Sequence, residues 1–211
     1  MKKMNLGVPR AVAAALMLST LCLAAAPAQG QPLSSAADEE QRALRGFFSL
    51  GLTRGGDTVA VVGYVGLPET TDVRAGGQVD LRAGADYRLG DSPFFVQAGV
   101  GYFTQAVSGV DGRVTFVRYP LELIGLWRAS ERVRVGLGVR RVGDGKLEGK
   151  GVASGLGTIT FKGKVGAVVE GEWVANRSVG FALRYVAEQY TVPNGEKVDG
   201  NHVGLRLSLY F

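Results

Sequence analysis

Beyond Cys22, this chain of 211 residues has no cysteine, and it has a single histidine, His202. No disulfide can form within it, and the thiolate and imidazole clusters that hold zinc and other soft metals are excluded. One histidine also leaves little scope for the nucleophile–base pairs of covalent catalysis. Long apolar runs are missing too: after residue 30 no stretch of about 18 apolar residues occurs, so no membrane helix is expected there. An excess of one charge is nearly absent. The 24 basic and 19 acidic residues give +5, and three of the basic ones, Lys2, Lys3 and Arg10, lie in the first ten residues. Without those three the balance is 21 to 19, or +2, which gives no argument for nucleic acid.

The remaining chemistry is sparse as well. The loop acids Asp111, Asp144, Glu148, Glu196 and Asp199 show no metal-ligand spacing. Glycine-rich stretches such as GVGYF and GLGVRRVGDG lack a phosphate-loop pattern, and glycine in sheets serves bends and crowded positions. No metal, cofactor or catalytic residue is expected.

What is present begins with MKKMNLGVPRAVAAALMLSTLCLAAAPAQG: basic residues, an apolar run, then the small-residue site Ala26-Pro27-Ala28. This reads as a secretory signal peptide over 1–28 with cleavage before Gln29, which would remove Cys22. Residues 29–45 read as a polar N-terminal lead. From 46 to 211 the chain alternates apolar and polar residues with period two, the mark of half-buried strands.

Eight strands are expected: 46–54, 78–89, 94–107, 114–128, 132–142, 158–174, 178–192 and 201–211. The stretch 55–75, with TVAVVGYVG, could extend strand one, form a loop or lie on a rim. Connections alternate between short (LGDSP, ASE, ANR) and long, rich in Gly and Asp (GDGKLEGKGVASGLG, PNGEKVDG). Short turns at one end and long loops at the other suit an up-and-down antiparallel transmembrane barrel, short turns periplasmic and long loops extracellular.

Parity separates two faces. One carries aromatic residues near both ends of the strands, Phe48, Tyr87, Phe94, Trp127, Trp173 and Phe211 at the lower end and Tyr102, Tyr119, Phe161 and Tyr185 at the upper, with Val, Leu, Ala and Gly between. Two such belts on the order of 20 to 30 Å apart match the apolar band of a membrane barrel. The other face carries Asp80, Arg82, Asp86, Arg88, Arg118, Glu122, Arg134, Arg140, Lys162, Lys164, Glu170, Glu172, Arg184, Glu188 and Arg206. Inside eight strands there is room only for side chains, so these nine basic and six acidic groups are expected to form a salt-bridged plug. The basic surplus leaves open a narrow path for anions. A soluble lipocalin-like barrel is a further alternative, but it would need an apolar lumen.

On these residues the chain resembles the small eight-stranded outer-membrane barrels of Gram-negative bacteria, the OmpA-barrel, OmpX-like and OmpW-like group. The last strand carries the most specific match: Val203, Leu205, Leu207 and Leu209 alternate up to Tyr210 and the terminal Phe211, similar to the signal by which the outer-membrane assembly machinery recognises its substrates. RYPLELIGLWR also resembles a strand that recurs in the group. The resemblance implies an outer-membrane location, with lipid, lipopolysaccharide and the assembly machinery as partners and a monomeric chain. The group includes lipid A deacylases, but their His-x-Ser pairing is absent, since Val203 and Gly204 follow His202. The expectation is a non-enzymatic barrel with a structural or surface-interaction role on its extracellular loops.

Overall fold

Alternation of apolar and polar residues over eight to twelve positions gives each strand two chemically different faces, and closing the sheet puts one of them wholly inside. The computed structural model describes residues 4–7, 43–65, 70–108 and 112–211. The expected export segment 1–28 and the lead 29–45 lie outside the described residues, apart from Met4–Gly7 and residues 43–45. The short strand β1 (Met4–Gly7) runs parallel to β3 (Thr58–Val65).

Eight antiparallel strands close a barrel: β2 (Leu44–Gly55), β5 (Gln78–Arg88), β6 (Phe94–Ser108), β8 (Pro120–Ser130), β9 (Val133–Val142), β12 (Val165–Asn176), β13 (Val179–Ala187) and β16 (His202–Tyr210). Each pairs with the next, and β16 pairs with β2 from His202↔Gly55 to Tyr210↔Phe47. Past the last paired residue, the Gly46 N–H donates to the Phe211 carbonyl at 2.8 Å and the Phe211 N–H to the Gly46 carbonyl at 3.1 Å. No edge is left in this ring. The first strand begins at Leu44 instead of Gly46, two residues into the expected lead.

Above the barrel, at the long-loop end, the sheet continues as a second storey. β6 runs on to pair with β7 (Gly112–Arg118), which pairs with β10 (Gly145–Gly151), then β11 (Thr158–Gly163), β14 (Gln189–Thr191) and β15 (Lys197–Asp199). The stretch left open by sequence, 55–75, is a hairpin of β3 and β4 (Thr70–Arg74) that fills the gap between β15 and β6. Asp57 joins it to β15: its N–H donates to the Asp199 carbonyl at 2.7 Å and its carboxylate accepts the Asp199 N–H at 2.8 Å. Gln105 joins it to β6, accepting from the Arg74 N–H at 2.8 Å and donating to the Asp72 carbonyl at 3.1 Å. One side-chain amide thus imitates a strand neighbour, meeting the demand of edge backbone for partners.

The upper storey has an apolar interior. Val62, Val73, Ala75, Val107, Val114, Phe116, Val142, Leu147, Phe161 and Tyr190 are buried together. A sheet whose inner face is apolar and outer face polar is the usual water-facing arrangement. The barrel below has the reverse.

Candidate functional site

The outer face of the barrel is apolar all round. Leu50, Leu52, Val100, Leu121, Leu123, Leu137, Val139, Val165, Val169, Leu183, Val203 and Leu205 are exposed, a belt far larger than water tolerates on a monomer. Aromatic rings bound it. Phe48, Tyr87, Phe94, Trp127, Trp173 and Phe211 are exposed near the short turns, and Tyr102, Tyr119 and Tyr185 near the second storey. Trp173 stacks on Phe181 at 5.9 Å between centroids and Tyr102 lies 5.6 Å from Tyr119. Eight residues separate Tyr119 from Trp127, as they do Phe94 from Tyr102, so the tilted strands place the two rows about 20 Å apart.

Phe161 is a correction to the sequence reading. It is buried in the upper core, 3 % exposed, while Lys162 and Lys164, read as lumen charges, are exposed. The cause is a one-residue slip between Gly163 and Val165, where β11 ends and β12 begins; such a slip exchanges the faces of every residue beyond it. Arg88 also lies outside the lumen network, for it is half-buried at the lower turn and donates to the carbonyls of Ser92 and Asp91.

What is left inside is balanced. Among the described residues the buried lumen charges are Arg82, Arg118, Arg134, Arg140, Arg184 and Arg206 against Asp80, Asp86, Glu122, Glu170, Glu172 and Glu188, six of each sign. With the half-buried Arg45, which pairs with Asp86, the basic surplus is one group, not the expected three.

The charges stack in three tiers. At the bottom Arg134 meets Asp86 at 3.0 Å and Glu172 at 2.5 Å, Arg45 reaches Asp86, and the Tyr210 hydroxyl donates to Glu172. In the middle Glu122 receives Arg82 at 3.0 Å, Arg140 at 2.7 Å and Arg184 at 2.9 Å, while Arg206 pairs with Glu170 at 2.9 Å. Asp80 faces Arg184 at 3.5 Å. At the top Glu188 receives Arg118 at 2.6 Å and Arg140 at 2.9 Å, so Arg140 ties the upper two tiers together.

Aromatic side chains fill the space between tiers, a feature the parity reading missed. Arg118 lies over the Phe103 ring at 3.7 Å, Arg134 over Phe95 at 5.3 Å and Arg82 over Phe47 at 5.4 Å, cation–π distances that favour desolvated guanidinium groups. Phe95, Ile124, Leu126, Val168 and Val186 form a small apolar cluster inside the barrel. Gly84 makes room for Phe47, since a Cβ there would sit 2.8 Å from its ring and 2.0 Å from the Ala98 carbonyl oxygen. The inward apolar residues Ile124 and Leu126 of β8, Val168 of β12 and Val186 of β13 were absent from the sequence reading, which placed only charges on that face.

Tyr190 joins the lumen to the storey above. Its ring packs edge-on against Phe116 at 6.2 Å, within the upper core, and its hydroxyl donates to Glu188 at 2.9 Å and meets Arg118. Burial pushes the phenol above its ordinary range, which keeps it a neutral donor to that carboxylate. His202, buried beside Phe103 at 5.3 Å, has its Nδ1 2.8 Å from the Gly200 carbonyl. Among the described residues no serine, cysteine or threonine is hydrogen-bonded to it, and no cluster of three metal-ligating side chains occurs. The residues read as an assembly signal divide by parity: Val203, Leu205, Leu207, Leu209 and Phe211 point outward, Tyr210 inward.

No protein-family model matches the sequence, and no curated protein matches it. Solved structures do resemble the fold. Neisserial surface protein A has a TM-score of 0.52 at 11 % identity, covering 80 % of this chain and 97 % of that one. Ail, the attachment invasion locus protein of Yersinia pestis, solved in complex with the heparin analogue sucrose octasulfate, has a TM-score of 0.44 at 13 % identity, covering 80 % and 97 %. The likeness to the first supports an eight-stranded barrel of the outer-membrane kind, and concerns the fold alone.

Proposed function

We propose that this chain is a non-enzymatic protein of the Gram-negative outer membrane, a closed barrel that displays its second storey outside the cell for surface interaction. The apolar belt is the lipid-facing surface, the short turns are periplasmic, and the ion-paired lumen is a plug. The observation that carries this reading is the stacking of two closed interiors: three tiers of neutralised ion pairs lie directly beneath an apolar core capped by the β3–β4 hairpin. Among the described residues the interior of the upper storey is an apolar cluster with Val62, Phe116, Leu147 and Phe161 at its centre, which supports a closed path. Charges so buried stay only when paired and hydrogen-bonded, so the lumen gains shape and specificity from them, not conduction.

Outer-membrane fractionation, heat-dependent mobility on detergent gels and conductance in planar bilayers test this reading. The expected results are outer-membrane recovery, a folded band that shifts on heating, and electrical silence. Recovery as a soluble periplasmic protein would overturn the placement. Steady unitary conductance would replace the plug with a narrow channel.

A further inference from the structure

We propose that the lumen mouth at the short-turn end is a binding site for the carboxylates of an acidic peptide. The inward parity that sets acids and bases side by side higher up ends there in arginine on four strands: Arg45 on β2, Arg88 on β5, Arg128 on β8 and Arg134 on β9. The turns add Arg132 and Arg177. Against these six stand four acids, Asp86 and Glu172 inside and the exposed Asp91 and Glu131 in the turns, so the mouth has two positive charges in excess. The excess has a definite place. Asp86 and Glu172 hold Arg134, and Asp86 also holds Arg45. Among the described residues no acidic side chain lies within ion-pair distance of Arg88, Arg128 or Arg132, whereas every buried arginine of the lumen has one.

The geometry suits a carboxylate. Arg128 stands directly opposite Arg134, a cross-strand pair of like charge that costs stability unless an anion lies near. Arg128 lies over the Phe95 ring at 4.8 Å and Arg45 over the Tyr210 ring at 4.6 Å. A guanidinium held by its face on a ring keeps the N–H groups of its edge for a planar acceptor that takes two of them at once. Arg88 and Arg128 stand on either side of β6, two strand spacings or about 10 Å apart, and Arg132 follows in the next turn. One small anion does not span that row, but successive carboxylates along a peptide do. The chain has such a run of its own: Asp38, Glu39 and Glu40 precede Leu44, the first residue of β2, by four to six residues, a contour of up to about 20 Å.

The periplasmic side of this mouth rests on the reading proposed above, and the test keeps the two apart because micelles present both ends of a barrel alike. The full exported chain in detergent micelles is titrated with the fluorescein-labelled peptide AADEEQ, the sequence of residues 36–41, and with its neutral counterpart AANQQQ, and anisotropy is followed. Wild type is compared with D38N/E39Q/E40Q, which removes the chain's own run, and with that variant further carrying R88Q/R128Q/R132Q. A solvent-facing ion pair gives a factor of up to about five, so three give up to about a hundred. D38N/E39Q/E40Q should bind the acidic peptide at least tenfold more tightly than the neutral one, and should lose that preference in about 0.5 M salt and on adding R88Q/R128Q/R132Q. Binding by wild type at least tenfold weaker than by D38N/E39Q/E40Q identifies the chain's own run as the resident carboxylates; equal binding assigns the mouth to a separate acidic polypeptide. Heat-dependent gel mobility checks that each variant is folded. No preference for the acidic peptide in any form, or a preference that survives R88Q/R128Q/R132Q, overturns the proposal, whereas recovery of the protein from the soluble fraction of cells would sink the membrane reading alone.

Discussion

Glu122→Gln is the sharpest probe of the lumen because one carboxylate serves three guanidinium groups, at 2.7 to 3.0 Å. Two of them have a second acid: Arg140 reaches Glu188 at 2.9 Å and Arg184 faces Asp80 at 3.5 Å. Arg82 has Glu122 as its ion-pair partner among the described residues, with the neutral Gln97 at 3.5 Å as a hydrogen-bond partner and the Phe47 ring at 5.4 Å. Neutralising Glu122 therefore strands chiefly Arg82, which is 1 % exposed. Removing one partner of a buried pair costs roughly 3 to 5 kcal/mol, and the second acids of Arg140 and Arg184 hold the loss near the lower end, about 3 kcal/mol. Urea unfolding of vesicle-inserted protein, followed by the fluorescence of Trp127 and Trp173, measures it. Adding Arg82→Met removes the stranded charge and should recover more than half of the loss, because an apolar side chain of similar length is tolerated in a buried site. A water-filled lumen would screen these charges, and the single substitution would then cost under about 1 kcal/mol. That result, or a double variant no more stable than the single one, would refute the plug.

Three further outcomes follow from the geometry. Leu183→Arg on the lipid-facing belt should cost roughly 2 to 4 kcal/mol near the midplane, whereas Lys162→Leu on the upper storey should stay within about 0.5 kcal/mol in the same unfolding assay; the reverse order would mean the faces are wrongly assigned. Deleting Phe211 removes the two backbone bonds to Gly46, worth about 1 to 3 kcal/mol in all, but should lower the inserted fraction in cells much more than it lowers the urea midpoint of protein refolded in vitro; equal losses would deny the terminal residue a role as an assembly label. Gln105→Ala takes away both bonds that hold the β3–β4 hairpin to β6 and should speed amide exchange in the hairpin by about tenfold, from the loss of about 1.4 kcal/mol, while exchange in β12 and β13 stays unchanged; uniform acceleration would mean the two storeys unfold as one.

The eight barrel strands and their two faces were legible because period two leaves no freedom once one face is fixed. Asp80, Arg82 and Asp86 on β5, and Glu170 and Glu172 on β12, stand inside as their parity requires. The upper storey was not legible. Val114 and Phe116 point inward on the same parity as Arg118 and Glu122, and an alternation rule tuned to a charged lumen has no place for inward apolar residues. The hairpin was hidden for a different reason, since TVAVVGYV could equally well prolong strand one until Asp57 and Gln105 were seen to supply its lateral bonds.

The two storeys need opposite chemistry from one continuous sheet, and the chain meets that need in two ways. Along β7 and β8, and along β13 and β14, parity is kept and the residue type changes: even positions run from Val114 and Phe116 to Arg118 and Glu122, and from Arg184 up to Tyr190, all facing inward. Along β9 and β10, and along β11 and β12, the residue type is kept and parity changes. Apart from Arg141 and the glycines, odd positions are apolar, from Val133, Val135, Leu137 and Val139 to Leu147, and from Val165, Ala167 and Val169 back to Phe161. A one-residue slip at 143–144 in one case and 163–164 in the other carries that apolar series from the lipid face into the upper core. The same slip turns Lys146 and Lys162 outward. A nearly regular alternation in sequence therefore concealed an inversion in space, and Lys162 and Lys164, which the sequence reading placed in the lumen, are among the residues that give the outer face of the second storey its charge.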